Sequence, residues 1–288
     1  MATVLITGTS TGIGLATALA FGRAGHKIAA TMRDPGRAPE LADAAFSEIL
    51  DITTFPMDVD DDSSVAHGFE RVAQEIGPID VLVNNAGIER VGATEEVPLE
   101  DFRAVMETNY FGAIRCIQAV IPTMRRRRSG CIINVASISG RLAVSPMGPY
   151  AASKFALEAM SECLAQEVKP FNVRVAIVEP GITQTQMATR ISVVSGSSHY
   201  PGPGRMAALY RGVLRHPTPP SLVAEKVLEI AVGSSWQLRH VVGPDAAPFL
   251  AWRQAMSDEE WVAFGALDDD AWYARVKADF GIDARPHA

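Results

Sequence analysis

Cysteine is scarce in this chain: Cys116, Cys131 and Cys163 are the three in 288 residues, and none forms a CxxC pair. That scarcity excludes a disulfide framework, and the apolar neighbours of all three predict reduced thiols in a core. The six histidines are scattered, with no two at the helix-face spacing of a two-histidine metal site, so no metal is expected. No apolar run is long enough to cross a bilayer, which argues against a membrane partner. Positive charge is also short: 26 Lys and Arg against 33 Asp and Glu give a net charge of −7 and make nucleic acid a poor partner. The basic run Arg125–Arg128 follows an apolar-periodic segment and reads as a helix C-terminus favoured by the dipole. Strand-like sequence begins at Thr3, which leaves no room for a signal peptide and, with the reduced thiols, predicts a cytoplasmic protein.

What is present is a composition suited to a large buried core, 48% hydrophobic and 20% charged. Short apolar, β-rich runs recur at Thr3–Thr7, His26–Thr31, Val81–Asn85, Cys131–Ala136 and Val173–Pro180. Helical patterns lie between them near 13–24, 63–76, 101–128 and 150–169. Alternation of this kind predicts an α/β fold, a doubly wound parallel sheet of Rossmann type with helices on both faces, in a single domain. Nearly continuous apolar strands fit a sheet covered on both sides. Residues 186–220 are rich in Ser, Gly and Pro and are expected to form a mobile lid, before a helix near 221–232 and a last strand near 238–242. Residues 1–245 form the expected catalytic unit, and 246–288 a helical extension in which Trp252, Trp261 and Trp272 mark short amphipathic helices packed on the body or on a second subunit.

The first strand runs into "TGTSTGIG", Thr7–Gly14, which opens a helix. Glycine there allows positive φ and close approach of a ligand to the backbone, and the helix start offers free N–H groups to a pyrophosphate. Gly8, Ser10, Thr11, Gly12, Ile13 and Gly14 are therefore candidate cofactor contacts, with the spacing GxxxGxG rather than GxGxxG. The second strand ends in "ATMRDP": Met32 stands where an acid would bind the ribose hydroxyl of NAD, and Arg33 follows, suited to the 2′-phosphate of NADP. NADP(H) is the expected cofactor, ahead of NAD(H). Asp34 could instead pair with Arg33 or bind ribose, or simply begin the turn "RDPG".

In "GPYAASKFALEAM", Tyr150 precedes Lys154 by one helical turn, and Ser137 stands thirteen residues before Tyr150 at the end of a strand. A carbonyl that receives hydride develops oxyanion charge and needs a proton donor and a fixed hydrogen bond near that oxygen. Tyrosine is a poor base near neutrality, and a lysine cation on the same helix face favours its phenolate.

With "NNAG" at Asn84–Gly87, Asn109 and Pro180-Gly181 also in order, the chain resembles the short-chain dehydrogenase/reductase family over about residues 2–245. "ATMRDP" and the C-terminal extension look like its hydroxysteroid and retinol dehydrogenase branch. The resemblance implies that Tyr150 is the general acid/base, that Lys154 lowers its pKa and holds the nicotinamide ribose, that Ser137 steadies the substrate oxygen, and that Asn109 holds a relay water. It further implies an adenine contact from Asp58, a ribose-side wall from Asn84, Ala86 and Gly87, and contacts beyond Pro180 and Gly181 from Thr183 and Thr185. The expected activity is NADP(H)-dependent hydride transfer between the cofactor and a hydrophobic ketone, aldehyde or secondary alcohol, because Arg141–Pro149 and Met187 are mostly apolar. An epimerase or dehydratase on the same scaffold and a noncatalytic cofactor sensor are the alternatives. The family also implies a homodimer or homotetramer.

Overall fold

The computed structural model describes residues 1–194 and 197–285, apart from the Arg37 side chain. Strand and helix alternate from the start: β1 (Thr3–Thr7), α1 (Gly12–Arg23), β2 (Lys27–Met32), α2 (Pro39–Ser47), β3 (Ile52–Pro56), α3 (Asp62–Glu75) and β4 (Val81–Asn84). Next, α4 (Leu99–Met106) passes through a π-helical turn, Glu107–Phe111, into α5 (Gly112–Arg127), followed by β5 (Gly130–Val135), α6 (Gly148–Val168) and β6 (Val173–Pro180). The remainder comprises α7 (Gln186–Ser192), α8 (Gly202–Val213), α9 (Pro220–Val232), β7 (Arg239–Val242), α10 (Ala246–Gln254), α11 (Asp258–Gly265) and α12 (Asp269–Phe280).

Among the described residues, seven strands form one parallel sheet in the order β3-β2-β1-β4-β5-β6-β7. Successive side chains of each strand enter opposite cores. Val4 and Ile6 of β1, Ile133 of β5 and Val178 of β6 pack with Phe21 of α1 and Val223 and Val227 of α9. Leu5, Ile132 and Val175 point the other way, into a core with Val72 of α3, Cys116 and Val120 of α5 and Leu164 of α6. Both faces of every central strand are thus buried, which is why the runs are apolar throughout. Strand order reverses between β1 and β4, and a crevice opens there beyond the carboxyl ends of the strands.

Three expectations change. The helix read over 101–128 is two helices joined by the π-helical turn that carries Asn109; its basic end does close α5, with Arg128 in the left-handed region at φ 52°. Cys163 is exposed on α6, whereas Cys116 and Cys131 are buried and their thiols are pushed up to about 12 and about 11 by desolvation. The span 186–220 contains two helices: proline near the start of α8 costs no hydrogen bond because first-turn N–H groups have no helical partner. Residues 195–196 of that span lie outside the described residues.

The three C-terminal helices pack on the same chain. Trp252 meets Trp261, Phe264 and Phe280 edge-on, with ring centroids 5.2, 4.9 and 5.0 Å away. Phe249 and Leu250 share a core with Leu142 and Ile182, and the Trp261 indole N–H donates to the Ala143 carbonyl at 3.1 Å. The extension thereby braces the loop that follows Ser137.

Candidate active site

A cleft of about 650 Å³ occupies the crevice at the strand ends. One end is backbone. Gly8 and Gly12 adopt φ +70° and +59°, and a Cβ on Gly8 would lie 2.8 Å from the Ala86 Cα. Only glycine meets both demands. Gly14 lies outside the cleft wall but is equally constrained, since its Cβ would stand 2.2 Å from the Gly8 carbonyl. Ser10, Thr11 and Ile13 line the cleft where α1 begins. This cradle with a helix start behind it fits a pyrophosphate.

Beyond the cradle the cleft is bounded by Arg33 and Asp58. Asp34 accepts from the Gly36 amide at 3.0 Å and caps its own turn, which leaves the exposed Arg33 to face the cleft rim. Asp58 accepts from the Asp60 amide at 3.1 Å. Opposite them, Pro180, Gly181, Thr183 and Thr185 line the wall. Thr185 also caps α7 by accepting from the Ala188 amide, and its Cγ2 would lie 3.2 Å from a Cβ on Gly12, so this wall nearly touches the glycine turn.

Ser137, Tyr150 and Lys154 meet at the middle of the cleft. β5 ends just before Ser137, whose hydroxyl accepts from the Ser139 amide, and α6 brings Tyr150 and Lys154 up on one face. The Lys154 ammonium donates to the Val135 carbonyl at 2.9 Å and lies 5.6 Å from the centroid of the Tyr150 ring. Burial dominates both groups. It lifts Tyr150 to about 12, reinforced by the Glu89 charge and opposed by hydrogen bonding with Ser137, and it lowers Lys154 to about 8 against the pull of Glu158. The expected depression of the tyrosine by its lysine is therefore not seen in this state; desolvation keeps the phenol protonated.

Two expected contacts lie elsewhere. Asn84 is buried in the sheet, donates to Asn134 Oδ1 at 2.8 Å and does not line the main cleft; its neighbours Asn85, Ala86 and Gly87 do. Asn85 holds the glycine turn, donating from Nδ2 to the Thr7 and Gly8 carbonyls at 2.9 and 3.1 Å. Asn109 is buried behind the cleft: it accepts from the Ile88 amide at 2.8 Å and donates to the Ile88 carbonyl and Ser153 Oγ, each at 2.9 Å. A cavity of about 10 Å³ adjoins Asn84, Asn109 and Lys154, close to the space of one water.

Several groups at the site carry no sequence signature. Tyr210 of α8 and Glu89 line the cleft, and the Glu89 charge acts on both tyrosines. Asp245 accepts from the Ile182 amide at 2.7 Å and fixes the backbone after Gly181. One turn beyond Lys154 on α6, Glu158 shares Arg239 Nε with Glu179, at 2.9 and 3.4 Å. Burial and the Glu179 charge push Glu158 up to about 7. Both acids keep a buried oxygen without a hydrogen-bond partner, which one proton held between them would satisfy.

The profile of the short chain dehydrogenase family matches residues 2–193. The chain belongs to that family. Its members are oxidoreductases that use nicotinamide cofactors. This short-chain dehydrogenase is 40% identical to retinol dehydrogenase 8 of Homo sapiens over 205 residues, 69% of the chain and 65% of that protein. It is also 40% identical to the 3-ketodihydrosphingosine reductase of Bacteroides thetaiotaomicron over 178 residues, 62% of each. The first similarity agrees with the retinol and hydroxysteroid dehydrogenase-like branch. A crystal structure of a short-chain dehydrogenase from Streptomyces avermitilis superposes with a TM-score of 0.76 at 30% identity, covering 96% of this chain and 95% of that one. Among the described residues, no helix is long and apolar enough to cross a membrane.

Proposed function

We propose that this short-chain dehydrogenase is an NADP(H)-dependent carbonyl reductase or alcohol dehydrogenase acting on a hydrophobic ketone, aldehyde or secondary alcohol. The observation that carries this reading is the convergence of Ser137, Tyr150 and Lys154 on a cleft whose far end is a glycine cradle. A bound nicotinamide supplies or accepts the hydride. The cradle from Gly8 to Ile13 would hold its phosphates, and Arg33, freed by the Asp34 cap, would pair with a 2′-phosphate.

Ser137 and Tyr150 hold the substrate oxygen between two hydroxyls. A protonated phenol is a proton donor, so in the reducing direction Tyr150 gives its proton to the oxygen as charge develops there. Lys154 would hold the ribose of a bound nicotinamide, and Asn109 would hold a water linking the lysine to solvent. Met147, Met187, Ile191 and Tyr210 make the remaining wall largely apolar. Relatives named for retinol and for a ketodihydrosphingosine support an apolar substrate with one reacting oxygen.

Residues 1–245 would form the catalytic unit, with 186–220 closing over substrate and 246–288 bracing that closure. Self-association into a dimer or tetramer would use the α4–α5 and α6 faces, where Phe111 and Phe155 stand 44% and 42% exposed. The test is absorbance-followed oxidation of NADPH and of NADH against a panel of ketones and aldehydes. NADPH-preferring turnover is expected; cofactor binding with no turnover of any carbonyl would turn the reading toward a cofactor-retaining lyase or a sensor.

A further inference from the structure

Beside Tyr150 the cleft wall carries Met147, Met187 and Ile191, and one acidic side chain stands among them. Glu89, on the loop leaving Asn85–Gly87, has a side chain only 10% exposed and lines the cleft with Met147, Met187 and Tyr210. A carboxylate buried among such groups is costly unless something meets it. Its cationic partner is Arg190 of α7, 3.7 Å away on a side chain 66% exposed, which is a loose pair leaning in from the cleft mouth. The adjacent Arg90 turns away: its guanidinium donates to the Glu89 carbonyl at 2.8 Å and to Asp101 at 2.6 Å. Its own backbone amide gives the carboxylate one hydrogen bond, and its remaining lone pairs face the cleft. Glu89 lines the same cleft as Tyr150 and Tyr210, and its charge raises the pKa of both phenols.

We propose that Glu89 is a specificity-determining residue that selects carbonyl substrates bearing a hydrogen-bond donor, a hydroxyl or an amine, beside the reacting carbon. The substrate class narrows accordingly from hydrophobic carbonyls to hydrophobic hydroxy- and amino-ketones, and this rests on the reductase reading above. A carboxylate paired with an arginine only accepts, so its complement is a donor, and a ketone with a bare hydrocarbon at that position would leave its remaining lone pairs unmet. Arg190 fills part of that role from the cleft mouth.

The test compares 1-hydroxy-2-decanone with 2-decanone, which differ by one hydroxyl. Affinities are read by calorimetry on the cofactor-loaded full chain, with turnover recorded in parallel, for wild type, Glu89→Leu, Glu89→Gln and Arg190→Gln. Wild type is expected to prefer the hydroxyketone roughly ten- to a hundredfold, as a hydrogen bond to a charged group allows. Glu89→Leu should bring the ratio close to one. Glu89→Gln, which keeps the shape, should lower it by at least about threefold and serves if the leucine variant does not fold. Arg190→Gln should keep or enlarge it. An equal ratio in wild type and both Glu89 variants, loss of the preference in Arg190→Gln as complete as in Glu89→Leu, or binding of neither ketone overturns the assignment. An intact affinity preference that Glu89 controls, with neither ketone turned over, would leave the assignment standing and overturn the reductase reading instead.

Discussion

The glycine cradle takes its shape from β1, a turn and α1, which are neighbours in sequence, whereas the opposite wall gathers Met147, Met187, Ile191 and Tyr210 from three separate segments. The cradle presents backbone, and its demands are steric: positive φ at Gly8 and Gly12, and no room for a Cβ on Gly14. The opposite wall presents side chains, held in place from behind by the C-terminal helices through Leu142, Ile182 and the Trp261 to Ala143 hydrogen bond. A backbone site tolerates almost no substitution at a few positions; a side-chain wall can change its chemistry residue by residue while the fold persists. This difference explains how one cofactor scaffold serves many substrates.

The comparison breaks most sharply where the two regions meet. Tyr150→Phe removes the proton donor without touching the cradle, so kcat/KM for a reduced carbonyl should fall about 10²- to 10⁴-fold while cofactor affinity by fluorescence titration stays within a fewfold. Loss of cofactor binding in step with turnover would show that the tyrosine serves the cradle instead. On the cradle side, Arg33→Ala should weaken NADPH about ten- to a hundredfold and leave NADH nearly unchanged, as removal of a charge-assisted contact to one phosphate requires. Equal weakening of both cofactors would remove the phosphate assignment.

Gly14→Ala should separate steric from chemical demand. Its Cβ would meet the Gly8 carbonyl at 2.2 Å and Asn85 Nδ2 at 2.5 Å, so about 1–3 kcal/mol of stability is expected to go, readable in denaturant unfolding. On the substrate side, Trp261→Phe keeps the ring and deletes the bond to Ala143. About 1 kcal/mol, or a severalfold rise in KM with cofactor affinity unchanged, is expected.

The last effect concerns pH. Glu158 is raised from 4.5 to about 7, so the folded chain binds a proton that the unfolded chain releases at lower pH. Its contribution is present in full below the unfolded value and is lost as pH rises through about 7, so stability should decline between pH 5 and 8. Glu158→Gln should flatten that decline in melting curves, and an unaltered slope would show that the acid pair holds no shared proton.

The cradle, the strand ends and the Tyr150–Lys154 pair were legible because each depends on spacing within one strand, turn or helix. Asn84 misled for the same reason: in "NNAG" two asparagines sit side by side, and the strand pleat alone decides that Asn84 turns into the sheet while Asn85 holds the glycine turn. Asn109 was legible as a residue but not as a tie to the Ile88 backbone, since the π-helical turn that orients it has no local signature. The electrostatic state of Tyr150 also ran against the local pair, because burial, reinforced by the Glu89 charge, raises the phenol.

Sequence by itself determined the parallel αβ order, the glycine turn and the helix face that carries Tyr150 and Lys154, because those follow from residue periodicity and from what glycine alone permits. Only the tertiary structure decided that Glu89 and Tyr210 line the cleft, and that Asp245 and the Glu158–Glu179 pair stand behind the Ile182 and Lys154 that do. They lie far apart along the chain, and their proximity, burial and charge exist only once the sheet and its helices have packed.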